Sequence, residues 1–98
     1  MLFAIIAEDK ANGVDHRMAV RPAHLEHLKT LGGRLVFAGP FMDSDDKPCG
    51  SLVVIEAASQ AEAEALAKQD PFVREGVFES YQVRRWTWGI NNPTGRGL

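Results

Sequence analysis

The run Leu2-Phe3-Ala4-Ile5-Ile6-Ala7 is apolar at every position and stops at the charged Glu8-Asp9-Lys10. A short, strand-forming run of this kind has no polar side, so it describes a strand covered on both faces. Arg34-Leu-Val-Phe-Ala-Gly39 and Ser51-Leu-Val-Val-Ile-Glu-Ala57 share the property. Val77 to Trp88 is long enough for a fourth strand. A fold for this chain must therefore cover two apolar sheet faces.

The segments between the strands supply one cover. Asn12-Gly13 marks a turn, and Asp15 is placed to cap a helix beginning near His16. At about 100° per residue, Met18, Val20, Leu25, Leu28 and Leu31 fall in one stripe around His24. Pro22 belongs in a first turn, which leaves the start of the helix open, and Gly32-Gly33 ends it. Ser59 followed by Glu62 forms a capping-box signal for a second helix, running to about Lys68. Asp70-Pro71 then stops it, with Phe72 and Val73 in a turn leading to Gly76. Met42 to Gly50 is a polar connection, and residues 90–98 are a polar, glycine-containing tail expected to be loose, outside a single domain over 1–89.

The order β-α-β-β-α-β predicts an α+β, ferredoxin-like antiparallel sheet with two helices on one face. The second face needs a partner. A C2 homodimer packed sheet to sheet satisfies it with the same surface used twice, so a homodimer is the physical expectation.

Composition narrows the function. With 98 residues and 45% hydrophobic content the chain is one domain with a real core. A net charge of −2 argues against a nucleic-acid surface. The lone Cys49 makes no internal disulfide and has no neighbour that would activate a thiol. No apolar run approaches the ~20 residues that span a bilayer, and nothing before Leu2 suits a signal peptide, so a soluble, cytoplasmic protein is expected.

His24 is the most informative residue, because it sits inside the apolar stripe with Arg17 and Arg21 on the same side. One reading is a half-buried histidine satisfied by an acid. The sharper one is a general base at a pocket mouth, with an arginine to hold an anionic substrate. Asp70 is explained as a helix stop, yet its carboxylate would also orient the imidazole tautomer if the fold brought the two together. His16 is expected to be exposed, and His27 lies at the edge of the stripe. His24 and His27 have no third metal ligand at a recognised spacing, and Asp43-x-Asp45-Asp46 lacks the rest of a calcium loop. No glycine-rich phosphate loop follows a strand. Trp86 and Trp88 share one face of the last strand and are expected to pack the sheet or a dimer interface.

These residues carry a resemblance. The opening Met-Leu-Phe-Ala-Ile-Ile-Ala-Glu-Asp-Lys, Arg17-Met-Ala-Val-Arg-Pro-Ala-His-Leu25, Ala38-Gly39-Pro40, Gly50-Ser51 and Asp70-Pro-Phe-Val-Arg-Glu-Gly-Val-Phe78 resemble the YCII-like family in order and spacing. The likeness runs from residue 1 to about 88; the Met42–Gly50 connection is shorter than in the members it most resembles. It implies a dimeric α+β barrel with His24 and Asp70 together in a pocket, and Arg17, Arg21, Gly39 and Ser51 around it. A similar protein in chlorinated-aromatic degradation eliminates HCl with such a pair. Two functions follow as expectations. The first is a small lyase or isomerase without a cofactor, acting on a small anionic or aromatic metabolite. The second is a non-catalytic ligand-binding or interaction dimer. A monooxygenase on a similar dimeric fold is a weaker third.

Overall fold

A computed structural model describes residues 1–97. Four strands, β1 (Leu2–Asp9), β2 (Leu35–Met42), β3 (Pro48–Glu56) and β4 (Phe78–Trp86), form one sheet in the order β2-β3-β1-β4. Every pairing is antiparallel. The connections are α1 (Val14–Leu31) with a short 3-10 turn at Gly32–Arg34, then α2 (Gln60–Lys68) and the one-turn α3 (Pro71–Arg74). This is the α+β architecture expected, with one helical turn added.

The alternation of the strands sorts their side chains between two faces. Phe3, Ile5, Val53 and Ile55 point to the helices and pack with Leu28 and Leu31 of α1 and Ala63, Leu66 and Ala67 of α2. Leu2, Ala4 and Val54 point the other way, with Ile6, Val36, Phe37, Leu52, Trp86 and Trp88 partly buried around them. The two tryptophans stand edge-on to Phe37 at 5.9 and 5.4 Å, so they pack the sheet as expected.

The boundaries differ from the sequence reading in instructive ways. The helix α1 begins at Val14 with Gly13 as its cap, and Asp15 falls in its first turn rather than before it. A carboxylate there still favours the positive helix end. Pro22 lies well inside α1 instead of opening it. The turns ahead of it are held from outside by Arg17, whose ion pair and hydrogen bond, described below, tie them to the sheet. Pro40 sits within β2, near the edge of the sheet, where its missing N–H is tolerated. The capping signal at α2 is observed: Ser59 Oγ accepts from the Glu62 N–H at 3.1 Å. At the end of α1, Gly32 takes φ 57°, a conformation suited to glycine.

After β4 the chain turns back over the second face. The Asn92 side-chain amide donates to the carbonyls of Trp88 and Arg96. Arg96 donates to the Gly33 carbonyl at 2.7 Å and lies 3.5 Å from Glu56. Gly97 rests on Leu2, where a Cβ would come within 2.7 Å of the leucine side chain. Leu98, the end of the predicted tail, lies outside the described residues.

Candidate functional site

The stripe on α1 is narrower than its apolar residues suggested. The buried residues are Arg17, His24, Leu28 and Leu31, while Met18 and Leu25 are about half exposed. The helix thus buries a cation and an imidazole in the places nearest the sheet and turns two large apolar side chains toward an opening. That opening is a cavity of about 200 Å³ lined by Arg17, Arg21, His24, Gly39, Ser51 and Phe72, with Met18 and Leu25 also on its wall.

His24 and Asp70, 46 residues apart, are in contact. The Nδ1 atom of His24 is 2.9 Å from both carboxylate oxygens of Asp70. Asp70 is itself fixed: it caps α3, and its Oδ1 accepts from the Phe72 N–H at 2.9 Å. The imidazole lies flat on the Phe72 ring, 3.9 Å between centroids. A carboxylate accepts only, so the Nδ1–H donates to Asp70, and in the neutral ring the lone pair lies on Nε2. Nε2 has no partner among the described residues, and no buried side-chain nitrogen or oxygen of those residues is left unpartnered. The atom therefore reaches solvent, and His24 lines the cavity.

Arg17 and Ser51 are also brought together. Arg17 Nη1 donates to both oxygens of Asp9 at 3.0 Å, and Nη2 donates to Ser51 Oγ at 2.8 Å. Both charged side chains are almost fully buried, at 6% and 4% exposure. The Arg17 guanidinium also sits 4.7 Å from the centre of the Phe72 ring. Arg17 is thus a cation engaged inside the protein, and it lines the cavity as the resemblance implies. Arg21 is exposed at the cavity mouth and belongs to no ion pair among the described residues. Gly39, on β2, is exposed on the opposite wall.

His16 is exposed and His27 half-buried. Burial holds the His27 imidazole below its ordinary value; Asp70 opposes this and His24 adds to it. Two residues that shape the site were not among the candidates. In the sequence Asp9 reads only as the charged end of a strand and Phe72 as part of a turn. Only the residue pattern Asp-Pro-Phe, quoted for the resemblance, touched the second.

Fold and site together define a small α+β domain in which a helix-capping aspartate backs a histidine beneath an open cavity. The chain belongs to the YCII-related domain family, whose profile matches residues 1–87. It is 44% identical to protein YciI of Escherichia coli over 92 residues, 86% of this chain and 94% of that protein. It is 35% identical to derivative of benzaldehyde biosynthesis cluster protein C of Emericella nidulans, covering 76% of this chain and 88% of that one. Among solved structures it superposes on 5-chloro-2-hydroxyhydroquinone dehydrochlorinase (TftG) of Burkholderia phenoliruptrix, in complex with 2,5-dihydroxybenzoquinone. The TM-score is 0.85 at 31% identity, over 94% of this chain and 99% of that one.

Proposed function

We propose that this protein is a lyase or isomerase that works without a cofactor on a small anionic or aromatic metabolite. His24 Nε2 removes a proton from the bound substrate. Asp70 holds the Nδ1–H tautomer and stabilises the imidazolium that forms. The electron pair left behind then expels a leaving group, chloride in a dehydrochlorination with the proton passing from His24 to solvent, or shifts a double bond, with His24 returning the proton at the new position. Arg21 holds a carboxylate or phenolate at the mouth, where its charge is paired with no acid among the described residues. Gly39 contributes its backbone to the cavity wall.

The observation that carries this reading is the pairing of His24 Nδ1 with both Asp70 oxygens while Nε2 reaches solvent and His24 lines a cavity. Similarity to a dehydrochlorinase seen with a quinone supports the reaction class. The working unit is a homodimer, because Ile6, Phe37, Leu52 and Trp86 leave the second sheet face only partly covered.

A panel of chlorinated hydroquinols and lactones, assayed with the wild type and His24→Ala, tests the proposal. Turnover that disappears in His24→Ala is expected. Binding without turnover in the wild type would instead identify a ligand-binding dimer.

A further inference from the structure

The polarity of the Ser51 hydroxyl is set before any ligand arrives. Arginine carries donors and no acceptor, so the 2.8 Å contact makes Ser51 Oγ the acceptor of a hydrogen bond from Arg17 Nη2. The hydroxyl hydrogen must then be given elsewhere, and Ser51 donates to no group among the described residues. Ser51 is itself 3% exposed and lines the same cavity as His24. Arg17 cannot swing away to release it, because Nη1 is bound to both oxygens of Asp9 and the pair is nearly sealed from solvent.

We infer that Ser51 is a fixed hydrogen-bond donor aimed at a substrate oxygen, with Asp9 and Arg17 as positioning residues that enforce its direction. Resting on the acid–base reading, the assignment names the substrate class: a compound no larger than one ring, carrying a carbonyl or oxyanion conjugated to the carbon that loses its proton. The cavity of about 200 Å³ lies below the roughly 300 Å³ at which drug-sized sites begin, which sets the size. As His24 takes the proton, the electron pair moves onto that oxygen, and the Ser51 O–H donates to it. A donor already oriented needs no reorganisation during the reaction and favours the developing charge over the neutral carbonyl.

The probe is 2,5-dihydroxybenzoquinone, whose ring oxygens report directly on a donor. Its carbonyl stretch when bound, read by infrared difference spectroscopy, moves to lower wavenumber in the wild type and in Ser51→Thr. In Ser51→Ala the shift is lost and binding weakens about 10- to 100-fold, the range for a hydrogen bond to a charged group. The neutral pair Asp9→Asn with Arg17→Gln avoids stranding a buried charge, and it shrinks and broadens the shift because glutamine allows the hydroxyl to turn. An identical carbonyl frequency in the wild type and Ser51→Ala overturns the inference, as does failure of the wild type to bind the quinone. An unchanged spectrum in the neutral pair removes Arg17 and Asp9 from the role. A normal shift without His24-dependent turnover leaves the donor in place and refutes only the acid–base reading.

Discussion

The imidazole of His24 and the ring of Phe72 lie face to face, with centroids 3.9 Å apart and planes 7° from parallel. Phe72 also gives its backbone N–H to Asp70 at 2.9 Å. A single residue therefore orients the histidine by stacking and the aspartate by capping. Because Phe72 is fully buried, Phe72→Ala should cost about 3–5 kcal/mol in urea unfolding. Phe72→Leu leaves a smaller cavity and should cost less than Phe72→Ala. A fall in kcat with Phe72→Leu that exceeds its modest loss of stability would show that the stack, and not merely the packing, orients His24.

Asp9 and Arg17 form a buried ion pair, so removing one partner strands the other. Asp9→Ala is expected to destabilise by about 3–5 kcal/mol, whereas the apolar pair Asp9→Leu with Arg17→Met should fall within a few kcal/mol of the wild type. Urea denaturation of the two variants distinguishes them; equal losses would contradict the pairing.

Asp70→Asn should exchange the histidine tautomer. An asparagine amide can donate to Nδ1, which would move the ring proton to Nε2 and remove the base. Nitrogen-15 shifts of the His24 ring should report the exchange, and kcat should drop by about 10⁴-fold, as in a serine-protease triad with the same replacement. A ring that keeps its proton on Nδ1 in the variant would count against the role of Asp70.

His27 links stability to pH. Its folded-state pKa lies below the ordinary 6.5, chiefly through burial. Between those two values the unfolded chain binds more protons than the folded one, so stability is present above about 6.5 and is lost as pH falls through the folded value. Unfolding free energies measured from pH 7 to pH 5 should fall more steeply in the wild type than in His27→Gln. Parallel curves would show that the imidazole is not penalised by the fold.

Leu52 lies near the middle of the second sheet face, opposite Ile6 across the β1–β3 ladder. In a sheet-to-sheet homodimer, Leu52→Glu would place a charge in the interface and should convert the dimer to monomer in sedimentation velocity. A wild type that sediments as a monomer at micromolar concentration would exclude the dimer.

Much of this protein is determined locally. The continuous apolar run at Leu2–Ala7, the cap at Ser59 and the glycines after Leu31 specify strands, helices and their order, because alternation, capping and backbone freedom act within a few residues. The histidine in the stripe and the aspartate before Pro71 were visible for the same reason. What the tertiary structure decided are the relationships between distant segments. The meeting of His24 with Asp70 depends on the start of α3 packing against the middle of α1. The burial of Arg17, the strand-end Asp9 that neutralises it and the Ser51 hydroxyl it orients depend on β1, β3 and α1 converging at one corner. The proline inside α1 follows turns that Arg17 ties to the sheet through Asp9 and Ser51. No periodicity records such contacts, since each side chain looks like an ordinary surface charge, strand end or turn until its partner arrives from elsewhere in the chain.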